Sequence, residues 1–68
     1  MLRNKVKELR ARHNYTQADL GKLVGATRQT IGMIEKGDYA PSVLLALKIA
    51  NALRVDLEEL FWIEGEDE

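Results

Sequence analysis

The side chains with the most to offer chemically are Arg28, Gln29, Thr30, Met33 and Lys36, all within the stretch RQTIGMIEK. At about 100° per residue, a helix whose buried side is set by Ile31 and Ile34 turns Gln29, Gly32, Met33 and Lys36 the opposite way. Thr30 then lies on a flank and Arg28 near the start. Arginine can pair with guanine and glutamine with adenine through two hydrogen bonds, and a Met or Thr methyl can touch the methyl of thymine. This is the chemistry of reading, not of bond breaking. The chain has one His, one Ser and no Cys, and no acid sits in an evident apolar pocket. No nucleophile meets a base, so an enzyme is not expected. His13 has no partners for a site and reads as a surface or capping side chain. No metal-ligand cluster and no cofactor motif is present in the sequence.

The elements that must position this face are written around it. Thr16 and Thr27 each stand one residue before a helical segment, where a hydroxyl accepts from free backbone N–H groups. Asp19 can reach back to Thr16 in a capping box that has Asp in place of Glu. Gly25 and Gly37 fall where the second and third helices must stop, and Gly21 is small where two helices would touch. Gln17-to-Val24 is expected to turn Leu20, Leu23 and Val24 inward. Gln17 stands in the first turn, where its amide and the free backbone N–H groups suit a phosphate oxygen; an ordinary exposed helix former is the plainer reading. Gly32 costs about 1 kcal/mol relative to Ala inside a helix. Either the backbone must sit close to a ligand there, or the position has drifted. Met33 is either exposed for contact or packed on a neighbouring helix.

Upstream, Leu2, Val6 and Leu9 recur at helical spacing beside a basic stripe of Arg3, Lys7 and Arg10, which predicts an amphipathic first helix. It should end near His13, with Asn14 in the left-handed position that closes a helix. Tyr15 precedes the Thr16 cap and could staple onto Leu20. Downstream, Ser42 caps a helix from Val43 to Leu53 that is apolar on nearly every side, which places it in the middle of the bundle. Asp56 and Glu59 form a further capping box, with Val55 stapled to Leu60. Phe61, Trp62 and Ile63 follow, three large apolar residues that one helix face of so small a protein cannot bury. Together with an exposed Leu44 they suggest a contact surface.

Sixty-eight residues suffice for one domain with a core near the lower size limit. The domain is expected over residues 1–63, with an acidic, disordered tail at 64–68. Charge divides along the chain. Residues 1–40 hold eight Lys/Arg and four acids, whereas residues 41–68 hold two and seven. A polyanion would meet the first part and be repelled by the second. No apolar run approaches a membrane span of roughly 18 residues, so a soluble cytoplasmic protein is expected.

Thr16-Gln17, Leu20, Gly21, Gly25, Ile31, Ile34 and Glu35-Lys36-Gly37 together resemble the helix-turn-helix proteins related to phage repressors and Cro, the XRE-type small regulators. The likeness extends to Leu9-Arg10, to Pro41-Ser42, to Leu47-Lys48-Ile49-Ala50 and to Leu57-Glu58-Glu59-Leu60. It implies an all-α, compact five-helix bundle of lambda-repressor type. The third helix would enter the major groove of a near-palindromic double-stranded DNA operator, and the protein would act as a homodimer that represses transcription by occlusion, with no small-molecule ligand evident. By the same resemblance Arg28, Gln29, Thr30 and Met33 would read bases, and Gln17, Lys36 and Tyr39 would hold phosphates, with packing on the fourth helix an equal alternative for Tyr39. Leu44, Phe61, Trp62 and Ile63 would form the dimer interface through the fifth helix, and Arg10 would pair with Glu35 as a structural bridge. Asn14 and Leu44 depart from the family pattern, which commonly has Gly and a polar residue there. The alternative is an adaptor or antitoxin that uses the same fold to bind a protein partner.

Overall fold

The computed structural model describes residues 1–65. Five helices and one small sheet follow in the order β1 (Leu2–Asn4), α1 (Val6–Arg12), α2 (Gln17–Val24), α3 (Arg28–Lys36), α4 (Val43–Leu53), α5 (Leu57–Leu60) and β2 (Phe61–Ile63). Val6, Leu9, Leu20, Val24, Ile31, Ile34, Ile49, Ala50, Leu53 and Leu60 form one buried cluster to which every helix contributes. Burial of these apolar side chains is the main stabilising term for a domain with no disulfide. No helix among the described residues is long and apolar enough to cross a membrane.

The helix starts follow the capping residues. Thr16 Oγ1 accepts from the Asp19 N–H at 3.0 Å, and Asp19 Oδ2 accepts from the Thr16 N–H at 2.9 Å, so both halves of the box are made. Thr27 Oγ1 accepts from the Thr30 N–H at 3.1 Å, and Ser42 Oγ from the Leu45 N–H at 3.1 Å. Asp56 donates its N–H to Glu59 Oε1 at 3.0 Å. The stops are left-handed: Gly25 and Gly37 close α2 and α3, while Asn14 (φ 59°) follows α1 and Arg54 (φ 60°) closes α4 without glycine's freedom.

Four expectations are corrected. The fold is not purely helical. Leu2–Asn4 pairs antiparallel with Phe61–Ile63, Leu2 opposite Ile63 and Asn4 opposite Phe61. The first helix therefore begins at Val6, and Leu2 belongs to a strand despite its helical spacing from Val6. Second, α5 is a single turn that ends at Leu60, so Phe61, Trp62 and Ile63 are not a helical surface. Third, Leu23 is 57% exposed, because Leu20 and Val24 already fill the inward side of so short a helix. Fourth, α4 does not lie enclosed: Ala46, Ile49, Ala50 and Leu53 face the core, but Val43, Leu44 and Leu47 are exposed.

Pairing also continues past Ile63. The Met1 ammonium donates to the Glu64 carbonyl and the Glu64 N–H to the Met1 carbonyl, both at 2.8 Å, and Arg3 Nε lies 2.8 Å from Glu64 Oε1. Glu64 is thus tied back to Met1 and Arg3; the tail expectation for residues 66–68 lies outside the described residues.

Candidate nucleic-acid interface

Ile31 and Ile34 are essentially inaccessible on the inner side of α3, which leaves Arg28, Gln29, Met33 and Lys36 exposed on the outer side. Two features hold this helix at its angle. Gly21 lets the turn before α3 lie directly against α2, and a side-chain network ties α3 to α1 and α2. In that network Arg10 Nε donates to Glu35 Oε2 at 2.7 Å and Arg10 Nη2 to Glu35 Oε1 at 3.3 Å. The third arm, Arg10 Nη1, donates to the Tyr15 carbonyl at 2.9 Å. Arg10 and Glu35 side chains are only 14% and 5% exposed, so the pair is shielded from water. Shielding makes loss of one partner costly, since the other charge is then left buried and unpaired.

Gln17 joins the same carboxylate. Its Nε2 donates to Glu35 Oε1 at 3.0 Å, which makes Gln17 half-buried and not freely exposed as a first-turn residue would otherwise be. The amide lies over Gly32, where an added Cβ would meet Gln17 Nε2 at 3.4 Å and Oε1 at 3.6 Å. The Gln17 amide thus packs over Gly32, at ordinary van der Waals distance from where a side chain would begin. Thr30 is half-buried and engaged at the helix start, its hydroxyl accepting from the Thr27 hydroxyl at 3.0 Å. Tyr39 is 46% exposed in the loop after α3.

Gln17, Arg28, Gln29, Gly32, Met33 and Lys36 line one open concavity, with Glu35 at its edge. Thr30 and Tyr39 lie outside it. Lys7, from α1, is also in it and was not among the expected site residues, although the basic spacing of Arg3, Lys7 and Arg10 carried the signal. A second residue missed was Asn4. Its Nδ2 donates to the Ile34 carbonyl at 2.9 Å and its Oδ1 accepts from the Val6 N–H at 3.0 Å, so it caps the start of α1 and binds the end of α3. No local pattern marks such a role, because the partner carbonyl is 30 residues away.

The helix-turn-helix family profile matches residues 6–60, from the start of α1 to the end of α5. The chain belongs to the helix-turn-helix family. Within it the Cro/C1 type is the one matched. The HTH-type transcriptional regulator YgzD of Bacillus subtilis is 59% identical over 66 residues, covering 97% of this chain and 100% of the relative. An HTH-type transcriptional regulator of Methanocaldococcus jannaschii is 50% identical over 66 residues, with the same coverage of 97% and 100%. Among solved structures, the restriction-modification controller protein C.AhdI from Aeromonas hydrophila superimposes with a TM-score of 0.74 at 33% identity, covering 79% of this chain and 82% of that one. The P22 c2 repressor, solved in complex with a synthetic operator, superimposes with a TM-score of 0.79 at 26% identity, covering 90% and 89%.

This helix-turn-helix domain has a second notable surface, and it is apolar. Leu2, Phe61 and Ile63 meet Pro41, Val43 and Leu57 around a recess of about 270 Å³. Exposed Leu44 and Leu47, three residues apart on α4, extend the apolar surface along that helix. Trp62 reaches the same recess from the other face of the strand. Alternation along a strand puts Phe61 and Ile63 on one face and Trp62 on the other, opposite Arg3 and with Lys5 Nζ 5.9 Å from the ring centre. All three successive apolar residues thus border this surface.

Proposed function

We propose that the protein is a sequence-specific, double-stranded-DNA-binding transcriptional regulator that works as a homodimer and represses by occlusion in the cytoplasm. The observation that carries this reading is the outer face of α3, where Arg28, Gln29 and Met33 stand exposed between the flanking donors Gln17 and Lys36. Arg28 and Gln29 supply the bidentate groups that distinguish guanine and adenine, and Met33 supplies an apolar contact for thymine. Thr30, engaged with Thr27, adds its methyl on the flank. Gln17, Lys36 and Tyr39, joined by Lys7, position the domain on phosphates without sequence preference. The family match supports this assignment, as do the repressor and controller proteins among the structural neighbours. The Arg10–Glu35 pair serves as a bridge that fixes α3 and makes no base contact.

The homodimer follows from reach. One short helix spans few base pairs, and two copies related by a two-fold axis read two half-sites about 34 Å apart. The surface assigned to that contact is the apolar one around Leu44, Phe61 and Ile63, with Trp62 at its rim. The reading is tested by comparing Gln29→Ala with Lys36→Ala on a panel of duplexes. Gln29→Ala should cost about 1–3 kcal/mol on the preferred site and relax preference at one position. Lys36→Ala should weaken binding evenly and make the salt dependence shallower by about one unit. Unchanged base preference in Gln29→Ala would remove that residue from readout.

A further inference from the structure

Glu35 serves two donors at once, and only one of them is needed to bridge the helices. The ion pair with Arg10 already joins α1 to the end of α3. The additional bond from Gln17 Nε2, at 3.0 Å to Oε1, connects that buried pair to a residue that reaches the open concavity. A carboxylate paired with arginine offers acceptors only, so it can take the NH2 end of the Gln17 amide and not the carbonyl end. The flipped amide would set two acceptors against each other. Below the amide lies Gly32, with Nε2, Oε1 and Cδ all 3.4–3.7 Å from the place a Cβ would take, the distance of ordinary packing contact.

We propose that Glu35 is a positioning residue for DNA binding: with Gly32 as the seat, it holds the Gln17 amide in one orientation before DNA arrives, leaving the second N–H of Nε2 as the phosphate donor. This rests on the DNA-binding reading and adds to it a role for the buried ion pair. A free glutamine side chain must be ordered on contact, at a cost that the bond to Glu35 has already met in the unbound protein. Arg10 acts one step further back by orienting the carboxylate. The positioning residue thus touches no nucleic acid and still sets the affinity for it.

Two measurements test this. In the DNA-free wild-type protein, side-chain amide relaxation and exchange by NMR should show the Gln17 NH2 group ordered and slowly exchanging, beside a mobile, fast-exchanging Gln29, whose amide is exposed. Equal mobility of the two amides would overturn the proposal whatever the protein does with DNA. At a temperature where each variant is folded by circular dichroism, Gln17→Ala and Glu35→Gln should each lower affinity for specific and non-specific duplexes alike, by about three- to tenfold per half-site. The double variant should lose little more than either single one. Losses that multiply in the double variant would show that Glu35 acts only through general stability and would overturn the positioning role. Failure of the wild-type protein to bind any duplex would overturn the DNA reading, and this role with it; an ordered Gln17 amide would then remain as the mark of a purely structural network.

Discussion

The carbonyl oxygen of Ala26 lies so close to Gly21 that a Cβ at position 21 would sit 2.5 Å from it. The obstructing atom is backbone, and that carbonyl belongs to the turn that aims α3, so no side-chain rotation relieves the clash. The Ala26 N–H also donates to the Gly21 carbonyl at 2.9 Å, which ties the same two residues together from the other side. Glycine is therefore required at position 21 by close approach and not by its φ angle.

Gly21→Ala should accordingly destabilise the fold by about 1–3 kcal/mol, the usual cost of overfilling a packed site. An alanine in an open helical position would instead gain stability. Urea unfolding of the two proteins measures the difference. An unchanged or raised midpoint would mean that the turn yields and that α3 is not held by this contact.

Acid should weaken the start of α2. The Thr16 N–H and then the Thr16 hydroxyl hold the Asp19 carboxylate below its ordinary pKa. Because the folded-state value is depressed, the stabilisation is present above the unfolded pKa and is lost as pH falls through the folded one. Thermal melts should therefore show a fall in Tm on acidification from about pH 4 downwards that is smaller in Asp19→Asn. A fall of equal size in both proteins would assign the acid sensitivity to other carboxylates.

Much of this arrangement was legible in the sequence because its signals are local. Thr16 with Asp19, Thr27, Ser42, Gly25 and Gly37 mark helix ends through atoms within a few residues, and all these caps and stops are present. The Arg10–Glu35 pair is not local and was legible only through family resemblance. What escaped was pairing between distant parts of the chain. Leu2–Asn4 and Phe61–Ile63 are too short for alternation to mark them in the sequence, and all five helices lie between them along the chain. The spacing of Leu2, Val6 and Leu9 imitates a helix, and nothing near Asn4 announces a bond to Ile34. Outward-facing Leu23 and Val43 escaped for a different reason: hydrophobicity states a preference for burial, while helix length and neighbours decide how much surface can be covered.

The apolar surface makes its own prediction. Leu44→Glu combined with Ile63→Glu should shift the protein toward monomer in sedimentation at concentrations where the unaltered chain is dimeric, because a charge in the middle of an apolar contact is left without a partner. Trp62→Ala should shift it in the same direction, since that ring borders the recess beside Phe61 and Ile63. Retained dimer in the double variant would move the interface away from α4 and β2.

The most direct test of the central claim is selection of bound fragments from a pool of random duplex DNA, followed by affinity for the selected sequence as a function of salt. A dimeric reader whose α3 enters the major groove should enrich a near-palindrome with half-sites about one helical turn apart. Its affinity should fall linearly on a log–log plot against salt, as phosphate counterions are released. A pool that shows no enriched motif even at low salt would contradict the account, and would instead favour a protein partner held by the apolar surface around Leu44 and Ile63.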